Sequence, residues 1–305
     1  LKSVSIPDSV IGIDDFSFSG CSKLLSIILD NAVMSNVEHA VLRVNISNST
    51  GWHKWCEKSL KPLISSDERY SLWADKHSVK KMISNAVPGI RVADEYAHVD
   101  KAEDITTELL ALLPLRYFMK ANHMSGGISM VNKGTVRCLR CSGIKSKVQN
   151  SGETNVQYLR RLCQSFLNSN YGLNKGELWY GKIPKKCIFE ESFPEAASKD
   201  FKDYKVWIIN GRVAFVQIDR SRHIGTRLRD YVTPAWKQIP MKDGGGFAYK
   251  SSQALDKRPI FWKEMIKNAE LLARNVGVAF IRVDFFGFAE SYAFAEITFA
   301  HDSCK

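Results

Sequence analysis

Residues 280–299 read FIRVDFFGFAESYAFAEITF, and their alternation decides the fold. In Phe280-Ile-Arg-Val-Asp-Phe-Phe286 an extended chain puts Arg282 and Asp284 on one face and Val283 and Phe285 on the other, because successive strand side chains point to opposite sides. In Tyr292-Ala-Phe-Ala-Glu-Ile-Thr-Phe299, Glu296 and Thr298 share a face, while Ile297 and Phe299 take the opposite one. Asp284 and Glu296 are twelve positions apart, so a turn within Gly287 to Ser291 sets the two acids side by side. Two carboxylates on paired strands repel unless a cation sits between them, and hard oxygen ligands suit Mg²⁺. A solvated strand face with ordinary salt bridges to Arg282 gives the same string, so the hairpin alone leaves both readings open.

Upstream of this hairpin, helical and extended patterns alternate. Asp75 is expected to cap a helix through Val79, Met82 and Ile83, and residues 115–120 are expected to form a strand. Thr154 and Gln157 have capping-box spacing and open a helix with Val156, Leu159, Leu162, Cys163 and Phe166 on one face. Residues 186–193 predict another strand. Asn210-Gly211 between two apolar runs predicts a tight hairpin over 204–220. Pro259 starts a helix with Trp262, Met265, Ile266, Ala269, Leu272 and Ala273 inward, and Gly277 stops it. Helices mixed with antiparallel hairpins predict an α+β fold.

Further chemistry-bearing positions lie on these elements. Lys120 ends an apolar strand and precedes Ala-Asn-His-Met-Ser-Gly-Gly-Ile128, a small flexible loop. Glycines let backbone amides approach phosphate oxygens and a lysine adds a point charge, although a surface lysine before a loop looks the same. The lysine precedes the glycines, so this is no Walker A loop. Gly244-Gly-Gly246 is a rival glycine-rich stretch with no strand leading in. Cys187-Ile-Phe-Glu-Glu-Ser-Phe193 ends a strand in two acids, and Asp203-Tyr-Lys-Val206 opens the next hairpin with a third. Such acids suit ribose hydroxyls, or else solvent.

Taken in order, the strings WADKHSVKKM, MKANHMSGG, CIFEESF, DYKVWIINGR, FIRVDFFG and FAEITFAHDS resemble the ATP-grasp superfamily over residues 70–305. Within it they are most similar to the TupA-like family, which is associated with teichuronopeptide and other surface-polysaccharide synthesis. The resemblance implies two α+β subdomains enclosing a nucleotide cleft, with ATP and Mg²⁺ as cofactors. It implies that Lys76 and Lys120 contact the phosphates and that Ser125, Gly126 and Gly127 form a lid loop. Glu190, Glu191 and Phe193 would line the adenine hinge, with Asp203 near ribose and Lys205 close by. Asp284, Glu296 and Thr298 would hold Mg²⁺, and Arg282, with Lys120, would steady the transferring phosphoryl group. The implied reaction makes an acyl phosphate from a carboxylate for attack by an amine. Phosphotransfer to a sugar or small molecule, and a partner-binding protein with a vestigial ATP site, are the alternatives. The sequence departs from the pattern at Thr298, where most ATP-grasp enzymes carry Asn, at Cys304, where Gly is expected, and before Asp75.

Residues 1–30 differ in kind. LKSVSIPDSVIGIDDFSFSGCSKLLSI resembles one BspA-like leucine-rich repeat, and a single such unit cannot bury its own apolar face. It is expected to stack on further repeats or to recruit a protein partner, with residues 31–69 as a connecting segment. The chain opens on Leu1 rather than Met, which suggests a fragment, and neither a signal peptide nor a membrane-spanning run is expected.

The chain has 305 residues and 45% hydrophobic content, enough for one large domain or two modest ones. Its formal net charge of +11 favours anionic partners, but no nucleic-acid module stands out, so nucleic acid is not expected. A carboxylate or glycan acceptor is the partner expected besides ATP. Seven scattered cysteines include one CxxC, Cys138 and Cys141, without the second pair a structural zinc requires. Reduced thiols and a cytoplasmic location are therefore expected.

Overall fold

The computed structural model describes residues 3–6, 26–29, 55–141, 149–220, 228–240 and 255–300. The chain divides into two compact units, residues 1–63 with 304–305, and residues 64–303. In the first unit β1 (Ser3–Ile6) pairs in parallel with β2 (Ser26–Leu29). Most of the leucine-rich segment lies outside the described residues, as do Gly244–Gly246 and Cys304.

The second unit is built on two antiparallel sheets, each with a helix against one face. After α1 (Lys61–Ser66), which straddles the boundary, come α2 (Glu68–Ala74) and α3 (Ser78–Ala86). The first sheet comprises β3 (Glu95–Val99), β4 (Arg116–Ala121), β5 (Ile128–Asn132), β6 (Thr135–Arg140) and β7 (Cys187–Glu191), in the order β3-β7-β4-β5-β6. Between β3 and β4 lies α4 (Thr107–Ala111), and between β6 and β7 lie α5 (Asn155–Leu167) and α6 (Tyr171–Lys175). The capping box at Thr154 and Gln157 forms as its spacing predicts. Along β4 burial alternates, so Tyr117, Met119 and Ala121 join Leu159, Leu162, Cys163 and Phe166 of α5 in one core. Burying each such large side chain contributes about 1.5–3 kcal/mol. Lys120 takes the opposite face, away from the helix.

The second sheet comprises β8 (Lys202–Ile209), β9 (Arg212–Arg220), β10 (Leu228–Val232), β11 (Gln238–Ile239), β12 (Phe280–Gly287) and β13 (Tyr292–Thr298), in the order β11-β10-β9-β8-β12-β13. Asn210 and Gly211, both at positive φ (49° and 75°), make the tight turn between β8 and β9. Helix α7 (Trp262–Val276) packs on this sheet and stops at Gly277, whose φ is 74°. Tyr204 lies 2.2 Å from where a Cβ at Gly287 would stand, so only glycine fits at the end of β12.

Two local expectations change. Asp75 does not sit at the N-cap of α3; it follows α2, its carbonyl accepts the Val79 amide and its carboxylate accepts the His77 amide. The capping chemistry sits two positions before the N-cap residue His77, in the short link between α2 and α3. Cys138 and Cys141 have Cα atoms 6.0 Å apart and Cys163 and Cys187 6.1 Å apart, and each pair is joined as a disulfide rather than left as thiols. The second pairing arises because α5 lies across β7, which sequence separation does not reveal. Among the described residues no helix is long and apolar enough to cross a membrane.

Candidate active site

Next to the edge of the six-stranded sheet, β12 carries a dense cluster of charge. Asp284 on β12 stands opposite Glu296 on β13 and Lys205 on β8, while Arg282 stands opposite Thr298 and Trp207. A turn in which the Phe288 amide donates to Ser291 brings the two acids level. Arg282 donates to both Asp284 oxygens, Nε to Oδ1 at 2.6 Å and Nη2 to Oδ2 at 2.7 Å. Lys205 donates to Oδ2 of Asp284 at 3.1 Å and to Asp203 at 2.8 Å. Burial pushes the Asp284 carboxyl up, but the charges of Arg282 and Lys205 pull it below its ordinary value, so it stays ionised. Burial likewise opposes the Arg282 charge, and Asp284 more than restores it.

Glu296 differs from its neighbour. Its side chain is 43% exposed against 2% for Asp284, and its nearest charged contact is Arg282 at 3.5 Å. Thr298 accepts from Arg282 at 3.1 Å. The pair thus joins one sealed carboxylate to one open to solvent, both oxygen donors of the kind a hard divalent cation takes.

On the other sheet, Lys120 and Lys80 share the two oxygens of Glu190, Lys80 at 2.7 Å. Glu190 is buried, which raises its carboxyl, but Lys120 and Lys80 bring it down to about 2. Lys76 donates to the Met124 carbonyl at 2.5 Å, and its amide donates to the Asn122 carbonyl. Withdrawal from water lowers the Lys76 ammonium; Glu296 opposes that shift, while Lys120 adds to it. Lys76 therefore lies within electrostatic reach of both the open acid of one sheet and the lysine of the other.

The Ser125–Gly127 loop closes back on β4, where the Ala121 amide donates to the Gly127 carbonyl. Gly126 and Gly127 have φ of 86° and 61°, and a Cβ at Gly127 would stand 2.9 Å from that of Ala121. Glu191 pairs with Arg91 at 3.2 Å and gives its amide to Asp94. Phe193 is buried against Phe286 and Phe288, with the Arg91 guanidinium 4.5 Å over its ring. The buried Ser192 hydroxyl between them has no hydrogen-bond partner among the described residues.

Several groups in this arrangement escape sequence reading. Asn122, fully buried, donates to Asp75 and to the Pro184 carbonyl and accepts from the Lys186 amide, tying the Asp75-Lys76 segment to β4 and β7. Tyr180 lies close enough to Glu296 and Arg282 to feel both charges. Asp219 pairs with Asp203 across β8 and β9, and Arg229 donates to it at 2.6 Å. Register counted from Asn210-Gly211 would have placed Asp219 within one position of Asp203; the remaining position is a bulge at Trp207/Ile208.

Residues 57–305 match the family profile described as TupA-like ATPgrasp. No curated protein matches the chain. Among solved structures, the D-alanine-D-alanine ligase of Helicobacter pylori is similar at 14% identity and a TM-score of 0.44, over 76% of this chain and 56% of that one. A RimK domain ATP-grasp protein of Sphaerobacter thermophilus shows 11% identity and a TM-score of 0.39, over 75% and 60%. The Bacillus anthracis D-alanine–D-alanine ligase, solved with ATP, shows 12% identity and 0.41, over 98% and 85%. The chain thus spans less than two thirds of the length of the first two.

Proposed function

Because the chain belongs to the TupA-like ATP-grasp family, we propose that it is a Mg-ATP-dependent ligase that activates a carboxylate for attack by an amine. The observation that carries this reading is Lys76, anchored on the Met124 carbonyl and feeling the charges of both the open acid Glu296 and the phosphate-gripping candidate Lys120. A nucleotide triphosphate needs cations along its phosphates and oxygen ligands for its metal, and this is where the two sets approach each other.

Mg-ATP, when bound, supplies the terminal phosphoryl group that converts a carboxylate, a poor electrophile, into an acyl phosphate. Lys76 and Lys120 would neutralise the phosphates, and Ser125 with the Gly126 and Gly127 amides would cover them. Glu190 would hold Lys120 and Lys80 in place, while Glu191, Phe193 and the unpaired Ser192 hydroxyl would face the base. Asp203 would take the ribose, with Lys205 bridging it to Asp284. Asp284, Glu296 and Thr298 would hold Mg²⁺. Arg282 spans all three of these and would steady charge on the transferring group.

The acceptor class follows the family's association with surface-polysaccharide synthesis, and a carboxylate on a glycan or glycopeptide is the proposed substrate. The two parallel strands β1 and β2, starting 23 residues apart (26 against 3), support the leucine-rich reading of the first unit, with a protein partner as its ligand. Product analysis with Mg-ATP and candidate acceptors tests the reaction. Ligation releases free phosphate, whereas phosphate retained on the acceptor would make the enzyme a phosphotransferase. No heat of binding with millimolar Mg-ATP would leave only a partner-binding protein.

A further inference from the structure

We propose that His77, Glu95 and His98 form a binding site for a divalent first-row transition metal, with Zn²⁺ the best chemical match. Nδ1 of His77 lies 2.8 Å and Nδ1 of His98 3.0 Å from the same oxygen, Oε1 of Glu95. One ligand atom from each residue falls within 4.8 Å of the other two. A tetrahedral ion with bonds near 2 Å spaces its ligands about 3.3 Å apart, so each imidazole need move only a few tenths of an ångström from the Glu95 oxygen to admit it.

The fold builds this cluster deliberately in two places. Residues three apart on a regular strand point to opposite faces, yet Glu95 and His98 meet. A register shift between Glu95 and Ala97 against β7 inserts one extra residue and turns both side chains to one side. His77 immediately precedes α3, and its backbone N–H donates to the Asp75 carboxylate at 2.9 Å. The imidazoles stand edge to face, with centroids 4.6 Å apart.

A simple hydrogen-bonded cluster accounts for Oε1 but not for Oε2 of Glu95, which is buried and has no hydrogen-bond partner among the described residues. A metal would engage that carboxylate in a way two imidazole N–H groups do not. Two nitrogens and one carboxylate oxygen form a borderline-soft donor set, suited to Zn²⁺ and its transition-metal neighbours rather than to Mg²⁺. The His77 and His98 side chains are 32% and 41% exposed, so water has access to complete the coordination. The site is separate from the acid pair on β12 and β13, and does not rest on the ligase reading. Its occupation would pin the start of α3 to β3, next to Lys76.

The test uses the whole chain, stripped with a chelator and titrated with Co²⁺ followed by displacement with Zn²⁺. One equivalent of Co²⁺ is expected to give visible bands of nitrogen and oxygen ligation without thiolate charge transfer, and Zn²⁺ is expected to raise the melting temperature. His98→Ala, at the most exposed ligand, and Glu95→Gln should each weaken Co²⁺ binding about 10-fold or more. Equal binding by wild type and these variants, thiolate bands, or no uptake would overturn the proposal. Circular dichroism establishes that each variant folds; if one does not, the wild-type Co²⁺ spectrum still decides between imidazole ligation and the alternatives.

Discussion

The two sheets of the larger unit treat charge in opposite ways. Around the five-stranded sheet three lysines, Lys76, Lys80 and Lys120, face one carboxylate, Glu190. On the six-stranded sheet three carboxylates, Asp203, Asp284 and Glu296, face two cations, Lys205 and Arg282. The first group is left positive and the second negative, which is the division Mg-ATP requires: cation surplus for phosphates, acid surplus for metal. Strand alternation puts Lys120, Asp284 and Arg282 on charged faces opposite apolar ones, whereas Lys76 and Lys80 are brought in by the start of α3. The two groups also differ in depth. Asp284 is sealed among its partners and ties two strands' charges together, whereas Glu296 reaches solvent.

That contrast predicts unequal responses to substitution. Asp284→Ala leaves Arg282 and Lys205 buried with lost partners and should cost about 3–5 kcal/mol, measured as a lowered urea midpoint. Glu296→Gln should leave the urea midpoint unchanged and reduce Mg-dependent turnover by about 100-fold, equivalent to ~3 kcal/mol. If Glu296→Gln unfolds the protein as Asp284→Ala does, the distinction between sealed and open acid fails.

Acid should weaken the lysine-rich side in two stages. His123 is buried, and its imidazole is pushed down to about 4 from 6.5, so the unfolded chain binds its proton first. Its contribution is present above pH 6.5 and is lost as pH falls toward 4, by on the order of 2 kcal/mol. The depressed Glu190 carboxyl, about 2 against 4.5, then loses its own contribution between pH 4.5 and 2. Urea midpoints across pH 7 to 2 should therefore fall in two steps, with the lower step missing in Glu190→Gln. A smaller effect is expected for Lys120→Met: Lys80 still satisfies Glu190, so stability should hold while calorimetry shows ATP affinity weakened about 10-fold. Unchanged affinity would remove Lys120 from the phosphate site.

The local elements were legible in short windows of sequence. Alternation fixed which residues of β12 and β13 share a face, Asn210-Gly211 fixed a turn, and the Thr154/Gln157 box fixed the start of α5. These are short-range consequences of backbone geometry and need no distant partner. Which charge meets which was settled by the packing of the whole chain. Glu190 reads as an acid at a strand end, yet it becomes the shared partner of Lys80 and Lys120 because β7 lies beside β4. Lys205 becomes the bridge to Asp284 because β8 neighbours β12 despite the intervening hairpin and helix. Asn122 and the His77–Glu95–His98 cluster depend on contacts across 47 and 18 positions, and on a bulge. Strand order and register emerge from burying the whole apolar core at once, so no local window of sequence contains them.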